Sequence, residues 1–304
     1  MPEGHSVHRL ARQLGDVFAG EAVAVSSPQG RFSDGARLID GATVVGAAAH
    51  GKQLFVEFDN SLVLRVHLGL YGAWEFGGDA TFRGASSIGA PRRVGERESY
   101  DGGAAERYAG PPEPVGQVRA RLVSARGWAD LRGPSACVVA TAQEAAAVRA
   151  RLGPDPLGPG APDSGREEFT RRIRRSSTIV ATALMDQSVL AGVGNIYRAE
   201  CLFRCAVSPW TRGIDLGGER ADRLWDDVAA AMADGVRDGR IVTTQAGDRP
   251  PGGGARVRSE DAYYVYRRQG LPCRRCGTPV ALEALAGRKL YWCPGCQPSD
   301  AARR

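Results

Sequence analysis

The chain has 304 residues, 43% of them apolar, which is enough for a sizeable core and, at this length, for about two domains. No segment reaches the roughly 18 uncharged apolar residues of a membrane span, and the opening MPEGHSVHRL lacks the apolar run of a secretory signal. We therefore expect a cytoplasmic protein without membrane association. The formal net charge is +6, and residues 263–304 carry all of it. Such a basic segment favours contact with phosphates, and a solvated basic tail is the alternative.

The first half of the chain predicts one helix followed by a β-domain. Residues 5–19 have apolar side chains at helical spacing, whereas 53–58 and 61–67 alternate apolar and polar side chains around a turn, as a β-hairpin does. We expect flanking strands at 41–49 and 71–76, and a further pair of strands formed by 118–124 with 136–140. The Gly-, Pro- and charge-rich stretch 77–116 predicts a long surface loop.

The second half of the chain predicts helices and a small basic module. Residues 153–165 are rich in Pro and Gly, which is typical of a linker between domains. Beyond this linker, helical periodicity covers the segments 166–174, 178–185, 196–203 and 219–238. Residues 244–260 again resemble a loop.

Four cysteines close to the C-terminus form two Cys-x-x-Cys pairs separated by 16 residues: Cys273, Cys276, Cys293 and Cys296. Two such pairs supply four thiolates to one tetrahedral zinc ion, and a module this short has too little core to fold without it. We predict one structural Zn²⁺ with no open coordination position. Disulfides are the alternative, and the expected intracellular setting disfavours them.

Three further features suggest chemistry. Lys52 is one of only two lysines beside 38 arginines, and a lysine amine, unlike a guanidinium, can exchange a proton near neutral pH. The Gly-Val-Gly-Asn turn that ends at Asn195 predicts a phosphate cradle at a helix start, although ordinary helix caps would satisfy the same sequence. If Met1 is removed, Pro2 presents a secondary amine that can attack a sugar C1′, next to the potential proton donor Glu3.

Taken together, these segments resemble the formamidopyrimidine-DNA glycosylase/endonuclease VIII family of bifunctional base-excision repair enzymes. The match extends from residue 2 to about residue 297, in five separated motifs that occur in the right order. The motifs are PEG at 2–4, GK at 51–52, HLGL at 67–70, DQ at 186–187 with AGVGNIY at 191–197, and GR at 287–288 before YWCPGCQ at 291–297.

The resemblance implies an α+β multidomain fold and a DNA partner. We expect an N-terminal β-sandwich with a leading helix at 1–152, the linker at 153–165, a helix-two-turn-helix domain at 166–260 and a zinc-finger hairpin with its tail at 261–304. The protein would act as a monomer on damaged DNA, as a glycosylase and AP lyase that cleaves the strand by β- and δ-elimination.

The resemblance also implies roles for single residues. Pro2 would attack C1′ of the damaged nucleoside and form a Schiff base, while Glu3 protonates the sugar. Lys52 would contact a phosphate next to the lesion and assist β-elimination. Asn195 and Arg288 would grip the phosphates that flank the extruded nucleotide, and Arg288 would also serve δ-elimination.

The residue that fills the gap left by the extruded base divides the family. Leu70 and Tyr71 are similar to the Leu-Tyr pair of endonuclease VIII-like members, and an apolar pair suits a wedge between bases. Gly69 stands where that branch has a polar residue. Arg132 lies where the 8-oxoguanine-specific branch has an arginine, but the accompanying Phe is missing. We therefore expect contacts with DNA at Leu70, Tyr71 and Arg132, and oxidised pyrimidines as substrates rather than oxidised purines.

Two alternatives remain open at this point. The chain could bind damaged DNA or abasic sites without base excision, or it could be a zinc-ribbon protein that acts through partners.

Overall fold

A computed structural model describes residues 2–90, 110–250 and 257–298. The chain divides into two compact units at the Arg151–Leu152 bond. Within the described ranges, no helix is both long and apolar enough to cross a bilayer. Parts of the predicted loops, 91–109 and 251–256, lie outside the described residues, as do Met1 and the tail 299–304 with its two arginines.

The described residues of the N-terminal unit, 2–90 and 110–151, form three helices and nine strands. The helices are α1 (Gly4–Phe18), α2 (Ser33–Ile39) and α3 (Ala142–Ala150). The strands are β1 (Ala24–Ser26), β2 (Val44–His50), β3 (Gln53–Phe58), β4 (Leu62–His67), β5 (Ala73–Gly78), β6 (Ser87–Gly89), β7 (Val118–Val123), β8 (Gly127–Arg132) and β9 (Ala136–Thr141).

These strands form two antiparallel sheets, ordered β2-β3-β4-β9 and β1-β7-β8-β5-β6. Apolar side chains of both sheets and of α1 share one core, in which Leu10, Leu14 and Trp74 are fully buried. Burial of such side chains contributes about 1.5–3 kcal/mol each. The predicted leading helix and β-sandwich are thus confirmed.

Two predicted strand pairings are wrong. β9 pairs with β4 and not with β7, and β5 belongs to the other sheet, between β6 and β8. The sequence pattern missed β8, the neighbour of β7, because its charged side chains are buried where alternation predicts apolar ones. Asp130 of β8 accepts two hydrogen bonds from Arg121 of β7, at 2.7 and 2.8 Å, which compensates the buried charge.

The C-terminal unit combines helices with one hairpin. Its helices are α4 (Arg166–Ile173), α5 (Val180–Ala183), α6 (Asn195–Arg204) and α7 (Gly218–Asp238), with short turns at Ala161–Gly165, Gly213–Asp215, Ala246–Asp248 and Ser259–Asp261. Its strands are β10 (Ala281–Leu285) and β11 (Arg288–Trp292), paired antiparallel. One core joins the helices to the hairpin, since Tyr197, Trp225 and Leu290 belong to the same buried cluster. The boundary that we predicted at residue 260 therefore falls inside this unit.

Candidate DNA-processing residues and zinc site

The start of α1 buries the proposed acid next to the proposed nucleophile. Pro2 directly precedes Glu3, which occupies the position before the first turn of α1 and is 0% exposed. The Glu3 carbonyl accepts the Ser6 N–H at 3.0 Å, while its side chain does not cap the helix. The sequence thus places a carboxyl group, shielded from water, one residue from the proline nitrogen.

Lys52 lies in the tight turn between β2 and β3, where Gly51 adopts a positive φ of 57°. The next residue, Gln53, is the cross-strand partner of His67 on β4. Burial, followed by the charges of Lys52 and Arg65, lowers the pKa of His67 below its ordinary value. The Lys52 ammonium and the His67 ring are therefore electrostatic neighbours.

The wedge loop, residues 68–72, connects β4 to β5 and exposes two large side chains. Leu70 is 46% and Tyr71 78% exposed, although both are types that normally seek a core. Gly69 has φ +66°, and a Cβ there would lie 2.9 Å from the Ser135 side chain. This close approach explains why glycine replaces the polar residue that the resemblance led us to expect.

Arg132 differs from the other expected DNA contacts in its surroundings. Its side chain is only 8% exposed and pairs with Glu75 at 2.9 Å and with Asp130 at 3.5 Å, within the five-stranded sheet. These pairs compensate its buried charge. In this structure the Arg132 guanidinium joins β5 to β8, and its contact with DNA stays a prediction.

Asn195, the first residue of α6, is buried and tied to the hairpin. Its side-chain Nδ2 donates to the Lys289 carbonyl at 2.9 Å, and Arg198 donates both to Asn195 Oδ1 and, at 3.0 Å, to the same carbonyl. Arg288, the residue before this anchored carbonyl, begins β11 and is exposed. Two residues that we expected to grip phosphates are thus brought together from distant parts of the sequence.

The turn before α6 is held by Gln187, which follows the Asp of the DQ motif. Gln187 accepts the Gly192 N–H at 3.0 Å and donates to the Val193 carbonyl at 3.1 Å. Both hydrogen bonds are local, so the Gln187 side chain fixes the backbone from which Asn195 starts the helix.

Glu200 in α6 is a functional support that sequence reasoning missed. It is 0% exposed, and its carboxylate accepts the backbone N–H groups of Tyr264, Val265 and Tyr266 at 2.7–2.8 Å and the Thr243 hydroxyl. These contacts fix the segment that leads into the first cysteine pair. A carboxylate inside the otherwise apolar run AECLF was the available signal, because such a charge needs partners when buried.

The four predicted zinc ligands converge. The Sγ atoms of Cys273, Cys276, Cys293 and Cys296 all lie within 4.8 Å of one another, with 3.8 Å between Cys273 and Cys296 and 3.4 Å between Cys276 and Cys293. Zn–S bonds of about 2.3 Å in a tetrahedron place sulfurs about 3.8 Å apart, so the cluster fits the ion. Among the residues that the structure describes, this is the one cluster suited to a metal. The site holds one structural zinc.

Comparison with known proteins agrees with this combination of folds and residues. The chain matches the formamidopyrimidine-DNA glycosylase N-terminal domain over residues 1–122, the H2TH domain of the same enzymes over 152–246, and the zinc finger found in FPG and IleRS over 270–298. It therefore belongs to the formamidopyrimidine-DNA glycosylase/endonuclease VIII family. It is a base-excision repair enzyme with DNA glycosylase and AP lyase activity.

Within that family the chain is similar to proteins of the endonuclease VIII type. It is 40% identical over 297 residues to "Endonuclease 8 1" of Mycobacterium tuberculosis, covering 98% of this chain and 100% of that protein. It is 32% identical to "Probable endonuclease 8 2" of Streptomyces coelicolor, covering 100% and 96%. Among solved structures, the MutM (Fpg) protein of Thermus thermophilus superposes with a TM-score of 0.69 at 26% identity, covering 97% and 98% of the two chains.

Proposed function

We propose that this glycosylase removes oxidised pyrimidines from DNA through an N-terminal proline Schiff base and then cleaves the strand by β- and δ-elimination. The observation that carries the proposal is the buried start of α1, where Glu3 is 0% exposed beside Pro2. A carboxyl group that is shielded from water and adjacent to the attacking nitrogen is placed to serve as a proton donor.

The proposed chemistry uses the residues in sequence. Once Met1 is removed, the Pro2 nitrogen attacks C1′ and the bond between C1′ and the base breaks; the base leaves with the electron pair and takes up the proton that the nitrogen loses. Glu3 then protonates the ring oxygen O4′, the C1′–O4′ bond breaks, and the nitrogen lone pair forms the iminium. The resulting iminium acidifies the C2′ proton. Loss of that proton breaks the C3′–O bond and releases the 3′ phosphate, assisted by Lys52. A second elimination, served by Arg288, breaks the C5′–O bond.

Damaged DNA is the proposed partner, bound by a monomer. The exposed Leu70 and Tyr71 provide the apolar wedge that replaces an extruded nucleotide. The exposed Arg288 and the helix-bound Asn195 lie at one end of the hairpin, where a phosphate backbone would be neutralised. The Leu-Tyr pair also supports pyrimidine lesions over purine lesions, since it is similar to that of endonuclease VIII-like members.

Borohydride trapping tests the nucleophile. With an oligonucleotide that carries one oxidised pyrimidine, we expect the protein lacking Met1 to form a covalent adduct, and Pro2→Gly or a protein that retains Met1 to form none. A normal adduct yield from the Met1-retaining protein would contradict the proposal. Tight binding to an abasic-site analogue without base release from any oxidised substrate would instead indicate a damage-binding protein.

Lys52→Arg tests the amine. Arginine preserves the charge for a phosphate contact, but it cannot exchange a proton near neutral pH. We expect Lys52→Arg to bind damaged DNA normally and to lose strand scission, with Arg65→Lys as the matched control on the neighbouring strand. Wild-type scission by Lys52→Arg would show that charge alone suffices.

A panel of single-lesion duplexes tests the substrate class. Base release and nicking are scored separately on an oxidised pyrimidine, such as thymine glycol, and on 8-oxoguanine. We expect faster base release from the pyrimidine lesion, and equal or reversed rates would overturn that part of the proposal. Arg288→Ala and Asn195→Ala should each weaken binding to both duplexes, because phosphate contacts carry no base preference.

A further inference from the structure

The turn between β8 and β9, residues 133–135, contacts the wedge loop at two places. A Cβ on Gly133 would lie 3.0 Å from the Tyr71 carbonyl oxygen, and a Cβ on Gly69 would lie 2.9 Å from both Cβ and Oγ of Ser135. The two segments are therefore in close contact. The 133–135 turn thus packs directly against the backbone that presents Leu70 and Tyr71.

Ser135 also contacts His67 through three hydrogen bonds. Its backbone N–H donates to the His67 carbonyl at 2.9 Å, its hydroxyl oxygen lies 3.0 Å from the same carbonyl, and that oxygen lies 2.6 Å from His67 Nδ1. A serine hydroxyl has a single proton. With the ring proton on Nδ1, the hydroxyl donates to the carbonyl and Nδ1–H donates to the hydroxyl oxygen, so this tautomer satisfies both contacts at once.

This hydrogen-bond pattern favours one tautomer of the His67 ring. A ring with its proton on Nδ1 carries a lone pair on Nε2 when it is neutral. Burial and the charges of Lys52 and Arg65 disfavour a second proton, so the pKa of His67 lies below its ordinary value. The His67 ring beside Lys52 is therefore held towards its neutral form, which avoids a second positive charge there.

We propose that Ser135 is a positioning residue for strand cleavage: its hydroxyl holds the His67 ring next to Lys52 with the proton on Nδ1, and its turn supports the wedge loop. The inference rests on the proposed function of Lys52 in β-elimination. Ser135 itself need not touch DNA, because it acts through His67 and through the backbone at Gly69.

Single-turnover kinetics on a preformed abasic site test this role. We expect Ser135→Ala to form the borohydride-trapped adduct at the wild-type rate and to cleave the strand about tenfold more slowly, the effect of one lost hydrogen bond. Ser135→Thr, which retains the hydroxyl, should restore cleavage. Ser124→Ala, which removes a hydroxyl from the turn between β7 and β8, is the matched control and should cleave normally.

A double-mutant cycle tests whether Ser135 acts through His67. In a His67→Ala background, Ser135→Ala should cause no further loss of cleavage rate. Wild-type cleavage by Ser135→Ala, an equal loss in Ser135→Thr, or an undiminished effect of Ser135→Ala in the His67→Ala background would each overturn the inference.

The ring tautomer gives a readout that needs no activity. Nitrogen NMR of the wild-type protein should show the His67 proton on Nδ1, and Ser135→Ala should shift the population towards Nε2–H. A wild-type ring protonated on Nε2 would overturn the inference even if cleavage is efficient. If the wild-type protein forms no trapped adduct, the proposed function fails, while the tautomer measurement still decides the role of Ser135.

Discussion

The two units hold their functional side chains in different ways. In the N-terminal unit, Lys52 and Tyr71 lie on turns of sheets whose core is apolar. In the C-terminal unit, Asn195 and Arg288 are placed by buried polar groups and by zinc, since Arg198 and Glu200 are respectively 1% and 0% exposed. In the first arrangement, apolar packing positions the turns, and the buried ion pairs, such as Arg121–Asp130, lie within the five-stranded sheet. In the second, buried polar groups hold the functional residues directly, so every polar partner must be present. The second unit should therefore be the more sensitive to single substitutions and to metal removal.

Zinc removal should produce the largest difference between the two units in loss of structure. Structural zinc contributes roughly 10–16 kcal/mol to small finger modules, so Cys293→Ser should unfold the hairpin β10–β11 and weaken DNA binding. Hydrogen exchange should show lost protection at 281–292 and unchanged protection in β3 and β4. Cys205→Ser, at a half-buried cysteine outside the cluster, is the control and should keep one zinc per chain. Undiminished DNA affinity in metal-free protein would contradict the role assigned to zinc.

Glu200→Ala should produce the next largest effect. It leaves three backbone N–H groups and the Thr243 hydroxyl without their acceptor, and removal of one partner from a buried charged network costs about 3–5 kcal/mol. Denaturant unfolding followed by hydrogen exchange at 264–266 measures the loss. Glu219→Ala, at a carboxylate that is 95% exposed, should change stability by less than about 0.5 kcal/mol. If both substitutions lower the unfolding free energy equally, the C-terminal unit does not depend on its buried polar groups as we infer.

The sequence predicted the features that depend on local patterns and missed those that depend on distant partners. Alternation defined β3 as residues 53–58, and the cysteine spacing defined the zinc site, because both signals are local. The pairing of β9 with β4 was missed, as was the Glu200 network. In both cases the partners lie far apart in the chain, so the sequence around one partner does not identify the other.

His5 is a buried titratable group of the N-terminal unit, and pH should reveal its contribution to stability. His5 is 4% exposed, and burial, followed by the charge of Arg9, lowers its pKa to about 3. The unfolded chain binds a proton near pH 6.5, while the folded chain does not. The stabilisation from the neutral ring is therefore present above pH 6.5 and is lost as the pH falls towards 3, at about 1.4 kcal/mol per pH unit.

Substitution of His5 measures that contribution. In His5→Asn, the unfolding free energy of the N-terminal unit should depend less on pH between 6.5 and 4 than in the wild type. His8→Asn, one turn further along α1 and half-buried, is the matched control. If His5→Asn shows the wild-type slope, groups other than His5 account for the acid sensitivity.

The wedge loop gives the smallest and most local test. Gly69→Ala combines a left-handed backbone with a Cβ placed 2.9 Å from Ser135, and should cost about 1–3 kcal/mol. Gly41→Ala has a similar φ, +75°, but a Cβ there meets nothing within 4 Å, so it should cost only the backbone term of about 1 kcal/mol. Unfolding free energies of both variants isolate the contact between Gly69 and Ser135. If the two substitutions lower the unfolding free energy equally, the 133–135 turn moves aside without a loss of stability. The wedge loop then does not depend on contact with that turn.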